Sequence, residues 1–146
     1  RTHTYALTRH LYWPLKFSFK DFELCRSVGN NAKPHIITSG NSPFDKLIQK
    51  YYRIAGWPEA IINAGIEAEE DIVVQGSTIV QIKYSEGTKQ KIDKIYGNVH
   101  NLADLFKHYM KNDSNDLGIE VKIIQNQSLA EMTTENIRNK IKAEKK

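Results

Sequence analysis

The stretch Asp71-Ile-Val-Val-Gln-Gly-Ser-Thr-Ile-Val-Gln-Ile-Lys-Tyr84 decides the fold class. Two β-branched runs, Ile72–Val74 and Ile79–Tyr84, flank Gln75-Gly-Ser-Thr78, whose glycine suits a tight turn. The segment reads as a β-hairpin. Downstream, Ser85–Thr88 is turn chemistry and Lys89–Tyr96 reads as a third extended segment, ending at Gly97. From Asn98, a suitable N-cap, Val99, Leu102, Leu105, Phe106 and Tyr109 recur at helical spacing. They predict a helix over 98–111 with Leu105 and Phe106 in the middle of its apolar face. Asn112–Asn115 is a loop, Ile119–Ile123 alternates as a strand, and Gln127–Glu131 is a candidate partner for it. Thr133 or Thr134 caps a last helix, 133–144, with Ile137 and Ile141 inward and the cations outward.

Upstream of the hairpin, Ser42-Pro43-Phe44-Asp45 is a helix start: serine at the N-cap, proline at the first position, an acid at the third. Phe44, Leu47, Ile48, Tyr51 and Tyr52 follow at helical spacing, and Gly56 stops the run before Trp57-Pro58. Glu59–Ile66 is apolar but short, and fits either a strand or a helical turn. Residues 1–41 carry aromatic clusters (Tyr12-Trp13-Pro14, Phe17, Phe19, Phe22) without sustained periodicity, and turn chemistry at Gly29–Asn31 and Ser39–Pro43. They read as an extended arm whose aromatics anchor either on a partner or on the chain's own core. The expected fold is therefore α+β. An arm over 1–41 precedes one domain over 42–146, in which an inserted helix is followed by a small sheet with helices 98–111 and 133–144 on one face.

A chain of 146 residues, 40% of them hydrophobic, is the size of one domain and can bury a core. No run approaches the roughly 20 apolar residues of a membrane-spanning helix, so no membrane insertion is expected. Cys25 is the only cysteine, which excludes an internal disulfide and a cysteine zinc site; it reads as a small buried hydrophobe. The net charge of +4 is unevenly spread. Glu59, Glu67, Glu69, Glu70 and Asp71 give −5 between Ile54 and Ile82, where no cation occurs, so the remainder carries +9. The first twenty residues hold Arg1, Arg9, Lys16 and Lys20 and no acid; the last ten hold Arg138, Lys140, Lys142, Lys145 and Lys146 against Glu144. Either end alone fits a solvated tail as well as a polyanion contact. Both together favour a nucleic acid, because clustered cations release counterions from phosphate. An acid-free start bearing Arg and Thr also resembles the flank of an organelle transit peptide.

The hairpin raises one catalytic question. Metal nucleases of the PD-(D/E)xK type place carboxylates on such a hairpin to hold a divalent cation, and a lysine to polarise the attacking water. Asp71, Gln81 and Lys83 match that spacing, with Asp45 or Glu59 as an upstream ligand. Against it, Gln81 replaces an acid and Asp71 sits beside Glu69 and Glu70 in a stretch without cations. His100 and His108 lie two helical turns apart without a third ligand, and His3, His10 and His35 fall in irregular segments. No G-x-S-x-G, Walker or G-x-G-x-x-G motif occurs. No catalytic residue, metal or cofactor is expected.

From the hairpin onward, the order strand, turn, strand, helix, strand, strand, helix resembles the α/β sandwich of the translation initiation factor one (SUI) family. Thr88-Lys-Gln-Lys-Ile-Asp-Lys-Ile-Tyr-Gly-Asn-Val99, followed by Leu102 and Leu105, resembles a basic strand, Gly-Asp and leucine-bearing helix of the mitochondrial large-subunit ribosomal protein forty-nine (Img) family. Lys91, Ile92, Lys94, Ile95 and Gly97 occupy matching positions, with Asp93 for a basic residue and Asn98 for Asp. Tyr5-Ala-Leu-Thr-Arg9 and Trp13-Pro14-Leu15 are similar to that family's amino-terminal arm. The likeness covers about 72–145; Lys122-Ile-Ile-Gln-Asn126 lacks the family's glycine, and 42–71 has no counterpart. It implies a non-catalytic component of the mitochondrial ribosome, in the matrix, bound to rRNA and neighbouring ribosomal proteins; the alternatives are the PD-(D/E)xK-type nuclease and an unrelated protein-binding domain. The RNA contacts expected on that basis are Arg1, Arg9, Lys16, Lys20, Lys89, Lys91, Lys94, Arg138, Lys140 and Lys142.

Overall fold

The computed structural model describes residues 2–12, 19–57, 59–63, 65–110 and 118–146. The hairpin is present as read: β4 (Asp71–Gln75) and β5 (Thr78–Tyr84) pair in antiparallel register, Asp71 opposite Ile82 and Val74 opposite Ile79. Gly76 holds φ 59° in the turn, a left-handed conformation that a β-carbon would penalise. Around the hairpin stands a six-stranded sheet in the order β3-β2-β1-β4-β5-β6. The α+β class is as expected; the layout is not.

The described residues of 1–41 do not form an arm. They supply β1 (Thr4–Thr8), which lies inside the sheet between β2 (Pro34–Thr38) and β4, and α1 (Phe19–Ala32), which crosses from β1 to β2. β1, β2 and β3 (Glu59–Ile62) run parallel, joined by α1 and α2 (Pro43–Ile54); β4, β5 and β6 (Ile119–Gln125) are antiparallel. Parallel neighbours need such crossovers. The helix start at Ser42 forms a full capping box, Ser42 Oγ accepting from the Asp45 N–H and Asp45 accepting from the Ser42 N–H. Trp13, Pro14, Phe17, Lys16, Arg1, the 112–115 loop and the side chains of Phe19, Phe22 and Cys25 lie outside the described residues.

Two segments read as strands are helices. Lys89–Tyr96 lies within α3 (Glu86–Asn98), capped by Ser85, whose Oγ accepts from the Thr88 N–H. Ile92, Ile95, Tyr96 and Val99 turn one face inward, a 3.6-residue period that outweighs local β-propensity. Gln127–Glu131 opens α5 (Gln127–Glu144), whose N-cap is Asn126 rather than Thr133 or Thr134. Val99 ends α3, so the helix expected over 98–111 begins only at Leu102, as α4 (Leu102–Met110). Leu105 is buried, but Phe106 is 62% exposed.

Helices cover both faces of the sheet, not one. On one face Ile37, Val74 and Ile79 pack against Ala130, Ile137 and Ile141 of α5. On the other, Ala6, Ile36 and Ala60 meet Phe44, Ile48 and Tyr52 of α2, with Tyr96, Val99 and Leu105 closing the layer. Phe44, Ile48, Ile37 and Ile137 are at most 1% exposed, each contributing roughly 1.5–3 kcal/mol by burial. Among the described residues no helix is long and apolar enough to cross a membrane.

Candidate functional site

The carboxyl ends of β1, β2 and β5 and the amino end of β4 lie at one edge of the sheet, because β4 runs against β1 and β5 against β4. β1 is where the chain changes direction across the sheet, with β2 on one side and β4 on the other. Crevices at such a switch point are common ligand sites. Here the crevice is a cavity of about 470 Å³. Arg9, His10 and Tyr12 follow β1, Asp71 and Tyr84 come from the hairpin, Lys91, Ile92, Ile95 and Tyr96 from α3, and Ile119 from β6.

The segment after β1 is held in place by its backbone. Thr38 Oγ1 and the Ser39 N–H donate to the Thr8 carbonyl, both at 3.0 Å. Tyr96 and Tyr52 donate their hydroxyls to the carbonyls of Leu11 and Tyr12. The Leu11 N–H donates to Asp45 Oδ1 at 2.8 Å, and the Arg9 N–H to Asp71 Oδ1 at 2.7 Å.

Two carboxylate networks result. In the first, His10 bridges Asp45 through Nδ1 and Asp93 through Nε2, both at 2.8 Å, while Arg9 binds Asp93 through Nε at 3.1 Å and Nη2 at 2.7 Å. Burial opposes the charge on His10, but its hydrogen bonds to the two carboxylates outweigh that cost and raise its pKa. Burial likewise opposes ionisation of Asp45 and Asp93, yet His10 with Ser42 and Leu11 holds Asp45 low, and Arg9 with His10 holds Asp93 low. His10 is thus an imidazolium with both ring nitrogens committed. Space for this pair depends on Gly40: a β-carbon there would stand 2.5 Å from Asp45 Oδ2, 2.7 Å from His10 Nδ1 and 2.8 Å from the Arg9 carbonyl.

In the second network Asp71, 1% exposed, accepts from the Arg9 N–H and from the hydroxyls of Tyr12 at 2.7 Å and Tyr84 at 2.6 Å. Burial first, then the Asp71 charge and hydrogen bond, push the Tyr12 phenol far upward, and Tyr84 is raised for the same reasons. Both remain protonated donors to Asp71, and the two hydroxyls also lie within hydrogen-bond reach of each other. Among the described residues no carboxylate pairs with Lys91, and Arg9 Nη1 is not used by Asp93. The cavity thus combines an isoleucine and tyrosine wall with two cationic donors and two phenol oxygens.

Asp71, Gln81 and Lys83 do not converge. Asp71 shares the cavity face with Ile82 and Tyr84, whereas Gln81 and Lys83 alternate to the α5 face, where Lys83 reaches Glu70 at 3.9 Å. Asp45 is consumed by its cap and by His10, and Glu59 starts β3, beyond β2 from β1. Of the ten cations expected to meet RNA, those among the described residues are also dispersed. Arg9 and Lys91 line the cavity, Lys94 is exposed elsewhere on α3, and Lys20 is exposed on α1. Lys89 pairs with Glu69 at 3.0 Å. Arg138 lies over the Tyr5 ring and pairs with Glu135 at 3.2 Å, with Lys140 half-buried and Lys142 exposed beside it on α5, across the sheet. Arg1 and Lys16 lie outside the described residues.

Sequence reading passed over His10, Tyr12, Tyr84, Asp93 and Tyr96. The signal for the first two was Arg9-His10-Leu11-Tyr12, one residue (Thr8) after the apolar run Tyr5–Leu7, a polar cluster at a strand's carboxyl end. Comparison with protein-family models, curated proteins and solved structures yields no match. The site is its own witness.

Proposed function

We propose that this domain is a non-catalytic binding module for a small amphiphilic molecule, with an apolar body and one anionic end. The observation that carries the reading is the cavity of about 470 Å³, within the roughly 300–1,000 Å³ of small-molecule sites. Ile92, Ile95, Tyr96 and Ile119 suit the apolar body, and the cationic side chains of Lys91 and Arg9 in the lining suit a carboxylate, sulfonate or phosphate. Binding rather than catalysis is supported by the state of the polar groups. A general base must present a free nitrogen or oxygen to its substrate; both His10 nitrogens are occupied, and Asp71 already accepts three hydrogen bonds.

The test is calorimetric titration with 8-anilinonaphthalene-1-sulfonate, an aromatic sulfonate of this chemistry. One saturable site is expected, lost when Ile95→Trp fills the cavity and weakened when Lys91→Glu reverses that charge. Saturable binding indifferent to both substitutions would place the ligand elsewhere.

A second reading, RNA binding in a ribosome, draws its support from α5, which exposes Lys142, Lys145 and Lys146 at its carboxyl end. The resemblance behind it relied on a basic strand over Thr88–Val99, and that segment forms α3 with Lys89 already paired. Its test is the salt dependence of RNA affinity.

A further inference from the structure

The two edges of the sheet are treated differently. β3, at one edge, has four residues; β6, at the other, has seven, Ile119-Glu-Val-Lys-Ile-Ile-Gln125, with no proline. Among the described residues nothing pairs with the outer edge of β6. Ile119, Val121 and Ile123 are 46%, 57% and 67% exposed, and they share the face of Val80, Ile82 and Tyr84 across the ladder. A long apolar edge strand is a ready template for another strand, and proteins that stay monomeric shorten, bulge or charge such edges. β6 carries charge only on its other face, at Glu120 and Lys122.

That pattern is self-complementary. With two copies of β6 antiparallel about a twofold axis at Val121, Val121 meets its own copy and Ile119 meets Ile123 of the second copy. Glu120 then meets Lys122 of the second copy, and the twofold repeats each pair. Glu120 lies opposite Lys83 on β5, so charges alternate across the junction: Lys83, Glu120, then the second copy's Lys122. Slipping the register by one residue would set apolar side chains against charged ones and turn the two sheets' faces out of step.

We propose that β6 is the interface for a second copy of this chain, joining two six-stranded sheets into one continuous twelve-stranded sheet. Closed twofold pairing of this kind is isologous, which is why one short sequence can satisfy both sides.

The test is sedimentation equilibrium of the full chain up to ~100 µM, because interfaces below roughly 1,200 Å² are weak. The wild-type protein is expected to show a monomer–dimer equilibrium. Glu120→Lys sets lysines against Lys122, and Lys122→Glu sets glutamates against Glu120. Each should weaken the dimer about tenfold, since the axis duplicates every cross-strand repulsion. Mixing the two variants in equal amounts restores opposite charges at both pairs, so the mixed dimer should regain wild-type affinity. Circular dichroism melts of each variant separate loss of pairing from loss of fold. A wild-type chain monomeric throughout, a dimer insensitive to both substitutions, or folded variants whose mixture stays monomeric would each overturn the proposal.

Discussion

Replacing Asp45 with alanine should strike the fold and the site together. The carboxylate is fully buried and holds the Leu11 N–H at 2.8 Å, His10 at 2.8 Å, the Ser42 hydroxyl at 2.6 Å and the Ser42 N–H at 3.1 Å. Removing one member of a buried pair costs about 3–5 kcal/mol, and losing the reciprocal half of the capping box adds up to about 1 kcal/mol. Against a typical stability of roughly 5–15 kcal/mol, Asp45→Ala should leave the domain marginal. The assay is urea unfolding followed by circular dichroism, repeated across pH for the wild type, Asp45→Asn, His10→Gln and the double variant. His10 is raised above its unfolded value of 6.5, so its contribution is complete below pH 6.5 and fades as pH rises through the folded value. Asp45 is lowered from 3.8, so its contribution is complete above pH 3.8 and fades as pH falls through the folded value. The coupling between them should therefore be largest from about pH 4 to 6.5 and decline as pH rises above 6.5 through the folded value of His10. A coupling flat across that range would refute the imidazolium–carboxylate pair.

Gly40→Ala should cost about 1–3 kcal/mol or more by overpacking, because the new methyl meets the Arg9 carbonyl as well as two side chains; a melt within a degree of wild type contradicts it. In α4, Leu105→Ala should cost about 2–5 kcal/mol and Phe106→Ala under about 1 kcal/mol, given 3% and 62% exposure. Equal losses at the two positions would mean that Phe106 is covered in solution. If α5 meets RNA, neutralising Arg138, Lys140 and Lys142 should flatten the salt slope by roughly one unit per lost contact, while Lys83→Ala leaves it unchanged; the reverse outcome puts the RNA surface at the hairpin.

The elements legible in the sequence were those with two agreeing local signals. The 42–54 helix had a cap, a proline and a stripe; the hairpin had β-branched runs around a glycine turn; α5 showed Ile137 and Ile141 on one face. Segments with one signal were misread. Lys89–Tyr96 does not alternate: Ile92, Ile95, Tyr96 and Val99 fall at i, i+3, i+4 and i+7, a short helical stripe outweighed in the reading by the turn chemistry of Ser85–Thr88, and in the fold it packs on a layer built by α2. β1 was hidden for the opposite reason: its five residues sit between two partners, both distant in sequence. The site was the least legible part. Arg9, Asp45, Asp71 and Asp93 are far apart in the chain, and the parallel pairing of β1 with β2, the reversal between β1 and β4 and the helix after β5 together bring them to one end of the sheet. Only Arg9, in the polar cluster that follows β1, carried a local hint of that.

Occupancy of the cavity between the sheet end and α3 by a ligand can be followed residue by residue. It is tested most directly by a nitrogen–proton NMR titration of the isotope-labelled chain with 8-anilinonaphthalene-1-sulfonate. Shifts should concentrate at the amides of Arg9, Tyr84, Ile92 and Ile95, and vanish in Ile95→Trp. Shifts centred instead on Val121, Ile123 and Phe106, three of the exposed apolar positions outside the cavity, would contradict the account.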